Sequence, residues 1–254
     1  MPPVIDQEVL PSLTAGTRDD NDEFTAYLQY RYDFIQSSGT AYINDVNVSE
    51  RHVIRVTTAN GLPVLGAQVL IYAGQDLVTG LRTTASGLAY FHPYAYDTQA
   101  DSYTVTVSKG DASQNFTLTR SSQGGEWPVT LQTAPSSAPV KLDVLFLLDA
   151  TGSMGDEIDP LKENILSIAG QIEALPARPD VRYGLVTYRD YGDEYVFRTY
   201  QGFMGDVGAF QNVIDNVSAA GGGDEPEALN EAFAAAVNDV DWRVDDTVSL
   251  VFLI

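Results

Sequence analysis

Residues 144–154 read VLFLLDATGSM, and this stretch decides the fold of the second half of the chain. Its five leading apolar residues predict a strand that is covered on both faces, as in a parallel sheet flanked by helices. Asp149 closes that strand, and hydroxyl side chains follow at Thr151 and Ser153. Because ligands bind outside the carboxyl ends of such strands, these three residues mark the first candidate site.

Alternating strand and helix patterns continue from Lys141 to Ile254. Further strands are predicted over residues 181–188, 195–200 and 248–254. We therefore expect an α/β, doubly wound, Rossmann-like domain with a mainly parallel sheet over residues 141–254. Three helices are predicted from apolar residues spaced three and four apart, at Leu161, Ile165, Ile168, Ile172 and Leu175, at Val207, Phe210, Ile214 and Val217, and at Ala228, Leu229, Phe233, Ala236 and Val237.

Residues 49–133 have a different pattern, in which short apolar runs alternate with turn signals such as Asn60-Gly61 and Ser86-Gly87. This pattern predicts an antiparallel β-sandwich, so the chain is multidomain. The order of strands and turns resembles the carboxypeptidase-regulatory-like, Ig-like or prealbumin-like modules of bacterial surface proteins. Residues 134–140 are rich in Pro and Ser and predict a linker. The apolar runs cover residues 53–56, 69–72, 89–91, 103–107 and 116–118.

Residues 1–48 are polar and acidic and contain one short segment at helical spacing. Phe24, Tyr27 and Leu28 predict a short helix, with Asp20 or Asn21 as its N-cap. The chain starts without the basic and apolar regions of a secretory signal. It finishes with residues 249–254, SLVFLI, and because a chain rarely stops inside a buried strand we expect a C-terminally truncated fragment.

The charge of the chain narrows the classes of partner. Thirty-five Asp and Glu residues face fourteen Lys and Arg residues, for a net charge of −21. Such a surface repels nucleic acid and anionic membranes and suits cations and an extracellular or cell-surface setting. The chain has no cysteine, which excludes disulfides, thiolate zinc sites and cysteine nucleophiles. No apolar run is long enough to span a membrane.

Oxygen ligands are the chemistry that the first candidate site predicts. A tight turn can aim the Asp149 carboxylate and the hydroxyls of Thr151 and Ser153 at one point. Oxygen donors of this kind suit a hard cation such as Mg2+, which keeps waters and leaves a coordination position open. The simpler alternative is that Asp149 and Ser153 cap the following helix.

Two further loops add candidate residues. Residues 219–229 read AAGGGDEPEAL, where the glycines allow close backbone approach and Pro226 fits the first turn of the third helix, with Asp224 or Glu225 before it. Residues 188–193 read YRDYGD and follow the second strand. They predict a solvated turn with a contact between Arg189 and an aspartate.

These motifs together resemble a von Willebrand factor type A domain from about Lys141 to Ile254. The resemblance implies a metal-ion-dependent adhesion site with Asp149, Thr151 and Ser153 as its first element. The family's second-loop threonine falls on Gly223, so Asp224 is left to supply that oxygen, directly or through water. The family's third-loop aspartate falls just beyond Ile254. The resemblance further implies that bound Mg2+ (or Mn2+ or Ca2+) bridges to an acidic residue of a protein ligand.

An enzyme remains the alternative class. A buried strand ending in Asp-x-Thr-Gly-Ser also resembles haloacid-dehalogenase-like phosphotransfer enzymes, in which Asp149 is the nucleophile. That chemistry requires a lysine and a later acidic pair near the phosphate, and Lys162 is the only lysine after Asp149. His52 and His92 lie far from Asp149 in the sequence and are expected at strand edges or the surface, which gives a histidine-based triad no support.

Overall fold

The computed structural model describes residues 19–38, 45–96, 100–134, 138–223 and 228–254. One helix precedes the strands of the first half: α1 spans Phe24–Ser38, which confirms the short helix predicted there. Two strands, over residues 76–82 and 125–131, lie outside the predicted apolar runs. The strands are β1 His52–Thr58, β2 Gln68–Ala73, β3 Asp76–Arg82, β4 Leu88–Phe91, β5 Ser102–Lys109, β6 Ala112–Thr119 and β7 Gly125–Leu131.

These strands form two sheets that share one apolar core. The sheet orders are β4-β1-β7 and β3-β2-β5-β6. Alternate residues of strands from both sheets, such as Ile54, Val69 and Val105, are fully buried in the common core. This burial of every second side chain is the pattern expected of strands with one face inward. The Ig-like identity of this module stays a prediction.

The expectation of a wholly antiparallel arrangement is wrong for one strand pair, because β7 runs parallel to β1. The start of β7 is held against the residue before β1, where the Gly125 amide donates to the Arg51 carbonyl at 3.1 Å. Gly124 has φ +73°, and a Cβ there would lie 1.8 Å from the Arg51 oxygen. Because of this close approach, β1 and β7 both begin at the same end of the sheet and run parallel.

A buried polar network lies beside that start. His52 is fully buried, so the expectation of a surface or strand-edge histidine is wrong for this residue. Trp127 Nε1 donates to His52 Nδ1 at 3.1 Å, so His52 Nε2 carries the proton and donates to Glu50 Oε1 at 2.9 Å. Arg120 Nε donates to Glu50 Oε1 at 3.2 Å, and Arg120 Nη2 donates to Glu50 Oε2 at 2.7 Å. Burial alone raises the pKa of Glu50, but the hydrogen bonds from Arg120 and His52 outweigh it and lower that pKa.

The second half alternates strands and helices around one four-stranded sheet with the order β10-β9-β8-β11. Both β9 and β11 run parallel to β8, whereas β10 is antiparallel to β9. The sheet is therefore mixed and mainly parallel. The elements are β8 Lys141–Asp149, α2 Gly155–Glu173, β9 Asp180–Tyr188, β10 Phe197–Met204, α3 Val207–Asp215, α4 Leu229–Asn238 and β11 Thr247–Leu253.

Helices cover both faces of β8, as the continuous apolar run predicted. Val144, Phe146 and Leu148 face a core formed with α2 and α3. Leu145 and Leu147 face a second core formed with α4. Covered faces on both sides explain why the run has no polar alternation. Several boundaries differ from the prediction. Strand β10 starts two residues later and extends to Met204, α2 stops at Glu173, before Leu175, and α3 stops at Asp215, before Val217.

One ion pair joins the two halves of the chain. Lys109, at the end of β5, contacts the Asp246 carboxylate just before β11. Within the linker predicted over residues 134–140, residues 135–137 lie outside the described ranges. No helix in the described ranges is both long and apolar enough to cross a membrane.

A second buried carboxylate sits inside β8. Asp143 is fully buried and accepts from Arg182 Nη2 at 2.7 Å, from Arg243 Nε at 2.9 Å and from the Arg243 backbone at 2.9 Å. Burial alone raises the pKa of Asp143, but these hydrogen bonds outweigh it and lower that pKa. The cluster ties β8 to β9 and to the segment before β11.

We predict that Asp143→Ala lowers the free energy of unfolding by about 3 kcal/mol, since it leaves Arg182 and Arg243 without their buried partner. The matched control is Asp180→Ala. Asp180 also pairs with Arg243, at 2.7 Å, but its side chain is 60% exposed, so we expect a loss below about 1 kcal/mol. Urea unfolding of the two variants measures the difference, and equal losses would contradict the buried role of Asp143.

We predict that Glu50→Gln lowers the free energy of unfolding by about 2 kcal/mol and makes that free energy depend less steeply on pH in the acid range. Because the folded pKa of Glu50 lies below its ordinary value, its charge stabilises the fold above that ordinary value, and this contribution is lost as pH falls through the folded pKa. Unfolding between pH 6 and about 3, followed by Trp127 fluorescence in a Trp242→Phe background, measures it. Glu126→Gln, which removes an exposed pair with Arg55, should leave the slope unchanged.

Candidate metal-binding site

Three oxygen-bearing side chains meet where β8 ends. Asp149 Oδ1 accepts hydrogen bonds from both the amide and the hydroxyl of Thr151, each at 2.8 Å. The Thr151 hydroxyl lies 3.5 Å from the Ser153 hydroxyl. The structure therefore brings together the first three residues predicted for the site. Thr151 is buried, whereas Ser153 is exposed and Asp149 is half-buried, so the cluster opens to solvent on one side.

The backbone of this turn is held by both neighbouring strands. The Asp149 amide donates to the Ile254 carbonyl at 2.8 Å, and the Ala150 amide donates to the Tyr188 carbonyl at 2.9 Å. A single 3-10 turn, Gly152–Met154, then leads into α2. Neither that turn nor α2 has a side-chain hydrogen bond at its N-cap, Thr151 or Met154. Helix capping by Asp149 or Ser153 is therefore not the arrangement found.

The glycine-rich loop after α3 lies directly against this turn. The Gly152 amide donates to the Gly221 carbonyl at 3.0 Å, and the Ala220 amide donates to the Ala150 carbonyl at 3.0 Å. Gly222 has φ +77°, and a Cβ there would lie 3.1 Å from Thr151 Cβ. The close packing that the glycines predicted is thus directed at Thr151. At Gly223, the position of the family's second-loop threonine, a Cβ would meet no atom of the described residues within 4 Å.

Asp224 lies outside the described residues, as do Glu225, Pro226 and Glu227. The role of Asp224 as a fourth oxygen donor stays a prediction. Helix α4 begins at Leu229 with Ala228 as its N-cap, and the placement of Pro226 in a first helical turn falls on the same undescribed segment.

The expectation of a solvated turn at residues 188–193 is wrong for Arg189 and Asp190, which are buried, whereas Tyr191 and Gly192 are exposed as predicted. Arg189 Nε donates to the Ala150 carbonyl at 3.1 Å, and its Nη2 donates to the Ser218 carbonyl at 2.9 Å. The carboxylate near Arg189 belongs to Glu194, at 3.6 Å, rather than to an aspartate. Arg189 therefore ties the Asp149 turn to the segment that leads into the glycine-rich loop by donating to one carbonyl of each.

An aspartate that sequence reasoning left without a role, Asp193, holds the same loop from its other side. Its Oδ2 accepts from the Gly222 amide at 2.8 Å and from the Asp190 amide at 3.2 Å. These hydrogen bonds lower the pKa of Asp193, the Gly222 amide contributing most. The two adjacent glycines were the available signal for such a contact, but no local pattern indicates which distant side chain they accommodate.

An exposed tyrosine lies at the rim. Tyr191 is 65% exposed, and its hydroxyl donates to Glu231 Oε1 at 2.6 Å. This bond raises the pKa of Tyr191 and lowers the pKa of Glu231. The contact links the turn after β9 to the first turn of α4.

The donor set fits a hard cation. It consists of one carboxylate and two hydroxyls, all oxygen, which suits Mg2+ better than a soft metal. A threonine hydroxyl that donates its proton to Asp149 keeps its lone pairs for an ion. Within the described ranges no group of three or more Asp, Glu, His or Cys side chains is arranged to hold a metal. Hydroxyls, waters or Asp224 therefore have to complete a coordination shell around Asp149.

Comparison with known proteins shows which family the span around this cluster resembles. Residues 143–243 match the family model of the von Willebrand factor A domain. The human von Willebrand factor A domain-containing protein 7 is 35% identical over 125 residues, which are 49% of this chain and 13% of that protein. The alpha-protein kinase vwkA of Dictyostelium discoideum is 28% identical over 108 residues, which are 42% of this chain and 17% of that protein.

The chain thus spans less than a fifth of the length of these two relatives, so their whole-protein activities do not transfer to it. Among solved structures, the vWF domain of the type V pili tip protein Mfa5 from Porphyromonas gingivalis is 19% identical. That match covers 45% of this chain and 37% of that one, with a TM-score of 0.30, too low to bear on function. Over residues 143–243 the chain is therefore similar to von Willebrand factor A domains, and this span carries Asp149, Thr151 and Ser153.

Proposed function

We propose that this chain is a metal-ion-dependent protein-binding or adhesion module of a surface or secreted protein. The observation that carries the proposal is the hydrogen-bonded cluster of Asp149, Thr151 and Ser153 at the carboxyl end of β8. It lies within the span that matches the von Willebrand factor A domain. These residues, with Asp224, would hold Mg2+, or Mn2+ or Ca2+ in its place.

The side chains of the cluster divide the work. Among the described residues of the cluster, Asp149 supplies a negative charge, and Thr151 and Ser153 supply neutral oxygens. When bound, the metal supplies a positive charge and a coordination position for a carboxylate of the partner protein. The half-open side of the cluster, where Ser153 is exposed, is the side from which that carboxylate would approach.

Charge is a second argument for a metal. At a net charge of −21 the chain repels an acidic partner, and this repulsion is screened only beyond about 8 Å at physiological ionic strength. An acidic ligand therefore requires a local positive charge at the point of contact. A divalent cation bound beside Asp149, with neutral hydroxyls among its ligands, provides one. The first half of the chain would act as a spacer, and the acidic composition suits an extracellular or cell-surface location.

The phosphotransfer alternative requires a lysine beside Asp149. Lys162 instead lies on α2 with its ammonium 3.7 Å from Asp159, and its carbonyl accepts from Gln211 on α3. Hydrolysis of a generic aryl phosphate by the intact chain, lost in Asp149→Asn, would support that alternative over the binding module.

We predict that Mn2+ or Mg2+ raises the melting temperature of the full chain and that Asp149→Ala abolishes the rise. Metal that binds only the folded chain stabilises it by about 2.7 kcal/mol at one hundred times its Kd. Differential scanning calorimetry across a metal titration, with excess chelator as the blank, measures the effect. Asp111→Ala is the charge-matched control, since Asp111 lies in the turn between β5 and β6. An unchanged metal response in Asp149→Ala, or none in the wild type, would contradict the proposal.

A further inference from the structure

The side chain of Asp193 occupies an unusual position between two loops. It lies in the turn between β9 and β10, yet its Oδ2 accepts a hydrogen bond from the Gly222 amide, 29 residues away, at 2.8 Å. The same oxygen accepts from the Asp190 amide at 3.2 Å. One carboxylate oxygen thus holds its own turn and the glycine-rich loop together.

The glycines of that loop are shaped around this carboxylate. Gly221 has φ +78°, and a Cβ there would lie 2.3 Å from Asp193 Oδ1. Gly222 also has a left-handed backbone, and a Cβ there would press on Thr151 from the other side, at 3.1 Å. The loop therefore passes through a gap between Asp193 and Thr151 that only glycine can occupy.

The loop makes further contacts with the Asp149 turn, but these are made by the backbone. Gly221 accepts from the Gly152 amide, and Ala220 donates to the Ala150 carbonyl, both at 3.0 Å. The side chain of Asp193 is the contact on the opposite side of the loop. A hydrogen bond from an amide to a carboxylate is stronger than one between neutral groups, so the Asp193 carboxylate is suited to hold a loop of flexible glycines.

We propose that Asp193 is a positioning residue for the metal site. It holds residues 219–222 against Thr151, so that the Thr151 hydroxyl keeps its place beside Asp149. This inference rests on the proposed function. Asp193 acts through the loop and not as a ligand, since its Oδ2 accepts two backbone amides and its Oδ1 lies against Gly221.

The test compares three variants of the full chain by two measurements. Mn2+ affinity is measured by isothermal titration calorimetry, and amide hydrogen exchange over residues 219–222 is measured without metal. The variants are Asp193→Ala, Asp193→Asn and the control Asp206→Ala. Asp206 also accepts a backbone amide, from Ala209 at 2.9 Å at the start of α3, so its loss removes a charge and some stability from a different place.

We expect Asp193→Ala to weaken Mn2+ binding about tenfold or more, as outer-shell substitutions at metal sites do, and to speed exchange at Gly222. Asp193→Asn keeps an acceptor oxygen and should restore most of the Mn2+ affinity. If Asp193 were itself a metal ligand, the Asn variant would lack the ligand's charge and would not restore the affinity. Asp206→Ala should leave the Mn2+ affinity unchanged despite its lower stability.

Wild-type Mn2+ affinity in Asp193→Ala overturns the positioning role, and so does an Asn variant as weak as the Ala variant. If the wild type binds no Mn2+, the proposed function fails. Hydrogen exchange at Gly222 then decides separately whether Asp193 holds the loop. If the exchange rate at Gly222 is unchanged in Asp193→Ala, Asp193 does not hold the loop.

Discussion

The fully covered strand β8 is the element on which the second half of the structure depends. It is hydrogen-bonded to β9 on one side and to β11 on the other, and both of its faces are buried under helices. A strand in this position has no exposed face, so a polar side chain is tolerated only where it finds partners or where burial ends. Asp149 marks the second situation, because it is the half-buried last residue of the strand.

Asp143 is the first situation, and the contrast between the two aspartates is informative. Both lie on β8, six positions apart, but Asp143 is enclosed by Arg182 and Arg243, which neutralise and saturate it. Asp149 is accompanied by hydroxyls and amides, which orient its carboxylate without neutralising it. A buried, fully paired carboxylate is a structural tie, whereas an oriented and unneutralised one can interact with a cation. The same residue type on one strand therefore serves two purposes according to its neighbours.

Local patterns were enough to predict most elements of the fold. The 3.6-residue spacing of Leu161 and Ile165 predicted α2, and the unbroken apolar run predicted the covered strand β8. The parallel pairing of β7 with β1 was not predictable, because it depends on a contact between Gly124 and Arg51 that no local pattern records. By contrast, Asp149, Thr151 and Ser153 could be predicted to lie together because they are close in sequence, and the structure brings them together. Arg189 and Asp193 escaped prediction because their partners lie 29 to 39 residues away.

The loops around the site show how a weakly charged cluster can be made rigid. Arg189 holds the Asp149 turn and the glycine-rich loop from within by binding two carbonyls, while Asp193 holds the loop by an amide. Arg189 donates to backbone carbonyls and Asp193 accepts from backbone amides, so neither side chain has to contact Asp149 itself. Rigidity is thereby supplied without bringing the Asp193 carboxylate into the cluster. Each carboxylate in direct contact with a divalent cation binds it more tightly but reduces the positive charge left for an acidic partner. On a chain with a net charge of −21, the proposed binding of an acidic partner depends on that remaining positive charge, so Asp193 serves the site better from outside the coordination shell.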